Sequence, residues 1–126
     1  MKVLDIEMID SIRELQTAED PDILAAIVTT FLESFTDRIE EIKITIQSGD
    51  PDALESQTHS LKSSAAILGG VHMTYLCAEL EKTGRSGKLD GALKQFSSLR
   101  AAATEFKREL EKLPELKFKP RESSAA

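Results

Sequence analysis

Residues 48–70 read SGDPDALESQTHSLKSSAAILGG and carry the clearest helix boundaries in the chain. A glycine, an aspartate and a proline follow one another at positions 49–51. They suit the end of one helix, the N-cap of the next and its first turn. At the other end, Gly69 and Gly70 have the structural role of interrupting the helical pattern. The segment therefore predicts a helix from about Pro51 to Leu68, bounded by a tight turn on each side.

Apolar residues elsewhere in the chain recur at spacings of three and four, and the alternation typical of strands is nearly absent. Long helices joined by short loops pack as antiparallel neighbours. We therefore predict an all-α fold, an antiparallel up-down-up-down four-helix bundle with a short extra N-terminal helix. The predicted helices span about 5–16, 21–47, 51–68, 72–83 and 89–113.

The last predicted helix ends at Pro114, after which the composition becomes polar and small. We assign residues 1–113 to a single bundle domain, because a chain of 126 residues is long enough for one modest core. Residues 114–126 are expected to form a flexible tail or linker. The expected organisation is therefore one domain followed by a short polar segment.

Composition and charge exclude several classes of function. The formal net charge of −6 argues against nucleic-acid binding, because phosphate contacts need clustered lysine and arginine. No apolar run approaches the roughly 20 residues of a membrane span, and acidic residues occur too early for a secretory leader. The single cysteine, Cys77, suits a reducing compartment, and its apolar neighbours favour a buried position. We expect a cytoplasmic protein without a membrane or nucleic-acid partner.

His59 lies away from the apolar stripe of its predicted helix. An α-helix turns about 100° per residue, so with Leu54 at zero His59 lies at about 140°. On the same count Lys62, Ser63 and Ala66 lie at about 80°, 180° and 120°. The histidine is therefore predicted to face solvent, with a positive charge and small side chains around it. Neutral imidazole is a good nucleophile near pH 7, so this setting suits covalent phosphorylation of His59 at Nε2.

Residues 59–69 resemble the signature H-x-L-K-G-S/A-S/A-x-x-x-G of histidine-containing phosphotransfer (HPt) domains. The residues in register are His59, Leu61, Lys62, Ser64, Ala65 and Gly69. Further along, LCAELEKTGRSGKLDGA at 76–92 is similar to the next helix and loop of the family. The resemblance covers roughly Leu4 to Leu113. One position departs from the signature, because Ser63 stands where the family usually has glycine.

The resemblance implies a phosphorelay carrier. His59 would accept a phosphoryl group from a phospho-aspartate on one receiver domain and pass it to an aspartate on another. Lys62 and Arg85 would offset the charge of the phosphoryl oxygens, and Glu81 falls where some members have a glutamine that orients the histidine. The resemblance therefore assigns the chemistry to one helix and to the end of the next.

The resemblance also implies a surface around His59 on which the receiver docks. Ser63 and Ala66 are small enough to let a receiver loop approach the histidine, and Glu81 would border this surface. Ile67, at about 220° on the helical count, is a candidate exposed apolar contact. We therefore expect the docking surface to follow the solvent side of the histidine helix.

The chain is not expected to be an enzyme by itself. The sequence offers no carboxylate cluster for Mg²⁺ and no nucleotide-binding motif. The chain would need no cofactor or metal of its own, since the receiver would supply Mg²⁺ and the acidic pocket. The expected partners are response-regulator receiver domains and a hybrid sensor histidine kinase, and the polar outer faces favour a monomer.

Three other interpretations stay open at this point. A histidine-kinase dimerisation domain also carries a phospho-accepting histidine on a bundle helix, but Ser60 follows His59 where that class usually has an acidic residue. A helical protein-interaction module would leave His59 unphosphorylated. A metal-binding bundle would use Glu-x-x-His pairs on facing helices, and Glu55 with His59 has no matching pair. Labelling of His59 by a phosphorylated receiver would separate a phosphorelay carrier from the last two.

Overall fold

The protein, described here by a computed structural model over residues 1–117, is helical and has no strand in that range. Its helices are α1 (Ile6–Arg13), α2 (Ile23–Ser48), α3 (Pro51–Ile67), α4 (Val71–Ser86), α5 (Ala92–Glu111) and α6 (Pro114–Lys117). The four long helices α2 to α5 form the antiparallel bundle, and α1 precedes it. The predicted all-α bundle with a short extra N-terminal helix is confirmed. None of these helices is long and apolar enough to cross a membrane.

The apolar stripes of the four long helices meet in one core. Phe31 of α2 packs against Phe35 and against Phe106 of α5, with ring centroids 5.6 and 5.7 Å apart. Other large, fully buried side chains are Leu24, Val28, Leu54, Leu61, Met73, Leu80, Leu99 and Leu110. Cys77 is buried in the same core, as predicted, and burial raises the pKa of its thiol to about 12.

The helices α3 and α4 share the most extensive interface in the described part of the chain. Gly84 of α4 makes their close approach possible. A Cβ atom at this position would lie 2.8 Å from the backbone nitrogen of Glu55 and 2.9 Å from the carbonyl oxygen of Pro51. A side chain there would force the two backbones apart. The absence of a side chain at Gly84 therefore lets the last turn of α4 pack against the first turns of α3.

The boundaries of α3 follow the local signals in the sequence, whereas the start of α2 does not. Asp50 caps α3, because its carboxylate accepts a hydrogen bond from the backbone nitrogen of Ala53 at 3.1 Å. The helix α2 begins at Ile23 rather than at the predicted position 21. The side-chain oxygen of Gln16 accepts from the backbone nitrogen of Leu24 at 3.0 Å and so caps this first turn. A residue eight positions away thus replaces a local cap.

Gly69 and Gly70 form the turn between α3 and α4, where space admits no side chain. Gly69 has a φ of 77°, and its carbonyl oxygen accepts from the backbone nitrogen of Asp5 at 2.7 Å. A Cβ atom on Gly69 would lie 2.6 Å from the Asp5 carbonyl oxygen, and one on Gly70 would lie 2.8 Å from the Phe106 ring. This crowding supports the structural role that the sequence gives to both glycines.

Residues 114–117 form the single turn α6 rather than the beginning of a flexible tail. Arg13 of α1 donates from Nε and Nη2 to the two carboxylate oxygens of Glu115, at 2.8 and 3.0 Å. Leu116 packs against the core. These contacts hold the four residues in a helix, so the structure differs here from the sequence expectation. The rest of the expected tail, residues 118–126, lies outside the described residues.

Candidate functional site

His59 stands on the solvent side of α3, as the helical count predicts. Its side chain is 61% exposed, while Leu54, Leu61 and Ala65 of the same helix are buried. The ring nitrogen Nδ1 lies 3.0 Å from Oε2 of Glu81 on α4. The histidine is therefore anchored on one side by a side chain of the neighbouring helix and open to solvent on the other.

Glu81 is the centre of the site, although only 5% of its side chain is exposed. Its Oε1 lies 2.7 Å from the ammonium nitrogen of Lys62, and its Oε2 accepts from Nη2 of Arg85 at 3.0 Å as well as contacting His59. The hydrogen bond from Lys62 lowers the pKa of Glu81, and the bond to His59 lowers it further against the opposing effect of burial. Glu81 is therefore an ionised carboxylate shared by three donors.

The carboxylate of Glu81 decides which nitrogen of His59 is available for chemistry. An ionised carboxylate accepts hydrogen bonds and cannot donate them, so the proton of a neutral imidazole lies on Nδ1. The lone pair then lies on Nε2, the ring nitrogen that does not contact Glu81, in a side chain that is 61% exposed. In this arrangement Nε2 can act as a nucleophile, and the contact between Nδ1 and Glu81 fixes the orientation of the ring.

The two cations that the sequence assigns to the phosphoryl group both contact carboxylates. Lys62 contacts Glu81, and Arg85 contacts Glu81 and also donates from Nε to Glu55 at 2.9 Å. The structure thus brings Lys62 and Arg85 beside His59 through Glu81. The sequence suggests Glu55 only as a candidate metal ligand. Its position at about 100° on the helical count, on the same side of α3 as Lys62, is the feature of the sequence that could have placed it at the site.

The residues on the solvent side of α3 around His59 have short side chains, so they do not obstruct access to the imidazole. Ser63 is exposed, and its hydroxyl donates back to the carbonyl oxygen of His59 at 3.2 Å rather than outward. Ala66 is exposed, and Ile67 is 55% exposed. Three of the predicted docking residues, Ser63, Ala66 and Ile67, therefore share the exposed face of α3. The fourth, Glu81, is buried on α4 and contacts His59 from the side of the bundle instead of lying on the docking surface.

A groove of about 350 Å³ lies between α2 and α3 beside this face. Apolar side chains that include Ile27 and Ile67 line one end. At the other end, Arg38 of α2 donates from Nη1 to the hydroxyl of Ser64 at 3.2 Å and from Nη2 to that of Ser60 at 3.0 Å. The sequence does not point to Arg38, because its place beside α3 depends on the register between two helices, and no local pattern predicts that register.

The other histidine of the chain, His72, lies in a different setting. It is half-buried in the first turn of α4, and its backbone nitrogen donates to the carbonyl oxygen of Lys2 at 3.0 Å. Within residues 1–117, no three His, Cys, Asp or Glu side chains come together as a possible metal site. The two histidines therefore differ in exposure and in partners, and His59 is the one with a carboxylate behind it.

Comparison with known protein families gives a match over most of the chain. The model of the Hpt domain family matches residues 26–115. The chain belongs to the Hpt domain family. This membership places it among the phosphocarriers of phosphorelay signal transduction, and neither a histidine-kinase dimerisation domain nor an unphosphorylated interaction module is favoured.

A curated relative agrees with this family. The chain is 25% identical over 93 residues to Multistep phosphorelay regulator 1 of Schizosaccharomyces pombe. The match covers 74% of this chain and 32% of that protein, so the chain spans about a third of the length of this relative. The similarity therefore concerns one part of a longer protein.

Solved structures show the same fold. Histidine-containing phosphotransfer protein B (HptB) from Pseudomonas aeruginosa PAO1 superposes with a TM-score of 0.81 at 23% identity, over 93% of this chain and 97% of that one. A protein from rice, described as a candidate histidine-containing phosphotransfer protein, gives a TM-score of 0.77 at 20% identity. That match covers 91% of this chain and 80% of the rice chain. The helical bundle of this chain is thus the same fold as in these two solved structures.

Proposed function

We propose that His59 is the residue that carries the phosphoryl group. It accepts this group from the aspartyl phosphate of one receiver domain and passes it to an aspartate of another. The observation that carries the proposal is the position of His59, whose Nδ1 lies 3.0 Å from the Glu81 carboxylate while 61% of its side chain is exposed. An oriented ring with a free Nε2 is what a phosphoryl acceptor requires.

The transfer step follows from this orientation. The lone pair of Nε2 attacks phosphorus, the bond between phosphorus and the aspartate oxygen breaks, and the aspartate leaves as a carboxylate. The ring gains positive charge as the new bond forms, and the adjacent Glu81 carboxylate stabilises that charge. Transfer to the second receiver is the reverse reaction with a different carboxylate. Glu81 therefore serves both directions of the relay.

Lys62 and Arg85 supply positive charge at the rim of the site. Both contact Glu81 in the structure, and Arg85 is largely exposed. Phosphoryl oxygens on Nε2 add negative charge within reach of the same side chains, so Lys62 and Arg85 divide their hydrogen bonds between Glu81 and the phosphoryl group. Their role is thus to offset charge in the phosphorylated state.

The receiver contributes the parts of the reaction that this chain lacks. Phosphoryl transfer needs in-line geometry, charge neutralisation and usually Mg²⁺, and we place Mg²⁺ and its acidic pocket on the receiver. The chain would act as a monomeric cytoplasmic carrier, with a hybrid sensor histidine kinase and response-regulator receivers as partners. Ser63, Ala66 and Ile67 would form the surface on which a receiver docks. The chain is not an enzyme by itself in this proposal.

Labelling with phosphorylated receiver domains tests the proposal. The unaltered chain should take up a phosphate that is stable in base and labile in acid, as expected for phosphohistidine. His59→Gln should abolish the label completely. His72→Gln is the matched control and should be labelled at the rate of the unaltered chain, because the chain has only these two histidines. Label that remains in His59→Gln, or that is lost in His72→Gln, would contradict the assignment.

A further inference from the structure

Arg38 is a cation without an acidic partner in the described structure. The ion pairs formed among residues 1–117 involve Lys62 and Arg85 at the site, whereas none involves Arg38. Its two hydrogen bonds go to the hydroxyls of Ser60 and Ser64, which are neutral. Among these residues Arg38 therefore has no carboxylate within ion-pair distance, and its guanidinium lies against Ser60, the residue that follows His59 on α3.

We propose that Arg38 selects the receiver, because it binds an acidic side chain that a docking receiver domain places at the polar end of the α2–α3 groove. The proposal rests on the proposed function of His59 and adds a specificity-determining contact to it. Arg38 does not touch the phosphoryl group in this proposal. It acts on the partner protein and thus on the choice between receivers.

The geometry of Arg38 suits recognition of a carboxylate. A guanidinium carries five N–H donors in a planar fork, and the bonds to Ser60 and Ser64 use two of them. The two serines are one turn apart on α3 and fix the plane of the fork. The side chain is also half-buried, so less of its freedom remains to be lost when a partner binds. A fixed guanidinium with donors left over is a two-pronged site for a carboxylate.

Charge complementarity identifies the occupant. The chain carries a net charge of −6, so an acidic partner is repelled by most of its surface. Lys62 and Arg85 contact the carboxylates of Glu81 and Glu55, which cancels much of their attraction for a partner. Arg38 is thus the cation beside the histidine that attracts an acidic side chain. A receiver that places an acidic side chain there binds more tightly than one that does not.

Kinetics of transfer test this assignment. The donor is the phosphorylated receiver that labels the unaltered chain fastest. We expect Arg38→Gln to lower kcat/KM for transfer about tenfold at low salt, through KM, and Arg38→Glu to lower it further. Both losses should shrink as ionic strength rises. Arg38→Lys should fall between them and the unaltered chain, because it keeps the charge and loses the fork.

Arg100→Gln is the matched control. Arg100 pairs with Glu40 at 2.7 Å on the α2–α5 side of the bundle, away from the groove. This variant should transfer within about twofold of the unaltered chain, since loss of an exposed ion pair has little effect. Thermal unfolding of both variants should show that each is folded. Equal kcat/KM for Arg38→Gln and Arg100→Gln would overturn the role of Arg38 and leave the function of His59 untouched.

A small donor separates docking from chemistry. Phosphoramidate phosphorylates histidine directly, with ammonia as the leaving group, and presents no receiver surface. We expect Arg38→Gln to react with phosphoramidate at the rate of the unaltered chain. A rate that falls as much as with the receiver would place Arg38 at the phosphoryl group and overturn the proposal. If no receiver labels the unaltered chain at all, the proposed function fails, and the role of Arg38 fails with it.

Discussion

The two helices that flank α3 treat its exposed face in opposite ways. On one side, α4 approaches to backbone contact at Gly84 and places the buried carboxylate of Glu81 behind His59. On the other side, α2 leaves a groove and extends Arg38 toward two serine hydroxyls. On the α4 side the helices pack closely and the charged side chains form ion pairs. On the α2 side there is a groove, and Arg38 forms no ion pair within the described part of the chain. We infer that the α4 side prepares the nucleophile and that the α2 side is left for the partner.

A large side chain on the exposed face of α3 beside His59 should have the largest effect on transfer. Ser63→Phe raises a large ring one turn from His59, and a small displacement of the reacting atoms lowers transfer rates by about a hundredfold or more. The fold should survive, because Ser63 is exposed. The measurement is the rate of labelling by a phosphorylated receiver, combined with the circular dichroism spectrum.

Ser97→Phe is the control for the ring at position 63. Ser97 is exposed on α5, and its hydroxyl bonds the carbonyl oxygen one turn back at 3.2 Å, as that of Ser63 does. This variant should transfer normally. If Ser63→Phe accepts phosphate at the rate of the unaltered chain, the need for clearance around His59 is wrong.

Forcing α3 and α4 apart at their close contact should mainly lower the free energy of unfolding. Gly84→Val places a side chain against the backbone of α3, and overpacking of this kind costs about 3 kcal/mol at the upper end of its usual range. Denaturant unfolding measures the loss. Gly87→Asn is the control, since Gly87 ends the same helix with nothing within 4 Å of an added Cβ, and asparagine tolerates its positive φ. A loss at Gly84 no larger than that at Gly87 would contradict close packing of α3 and α4.

Removing the carboxylate behind His59 should have a smaller effect on transfer. Glu81→Ala loses the hydrogen bond to Nδ1 and the negative charge beside it, and we expect labelling to slow about tenfold. Glu81→Gln should recover part of that rate, because an amide oxygen still accepts from Nδ1. Glu79→Gln, which removes an ion-paired carboxylate elsewhere on α4, should change little. Equal rates for the alanine and glutamine variants would argue against orientation of the ring by this side chain.

The same glutamate should also shape the acid response of the fold. The pKa of Glu81 is lowered in the folded state, so its ionised form favours folding above the ordinary glutamate pKa of about 4.3. That contribution disappears as pH falls from there through the lowered folded pKa. Glu81→Gln should therefore have a shallower decline of unfolding free energy over this acidic range, as measured by denaturant titrations at several pH values.

Local signals in the sequence were enough for the order of the long helices, for the ends of α3 and for the exposure of His59, but not for the start of α2 or for α6. The cap at Asp50 and the glycines at 69–70 lie within a few residues of the helix ends that they set. The contact between Glu81 and His59 could be anticipated only from the family resemblance. Glu55, Gly84 and Arg38 escaped prediction as a group, because their roles depend on how helices are aligned side by side. Spacing along one helix does not report which residues of the next helix lie opposite.

The ion pair between Arg13 and Glu115 joins residues that are 102 positions apart in the sequence. Forming it requires closure of a loop that includes nearly the whole described chain, and this entropy grows with loop length. The pairing of α3 with α4 needs closure of only a short turn. In the order of folding events, contacts of short sequence separation are favoured early. His59 and Glu81 can therefore come together before Arg13 pairs with Glu115.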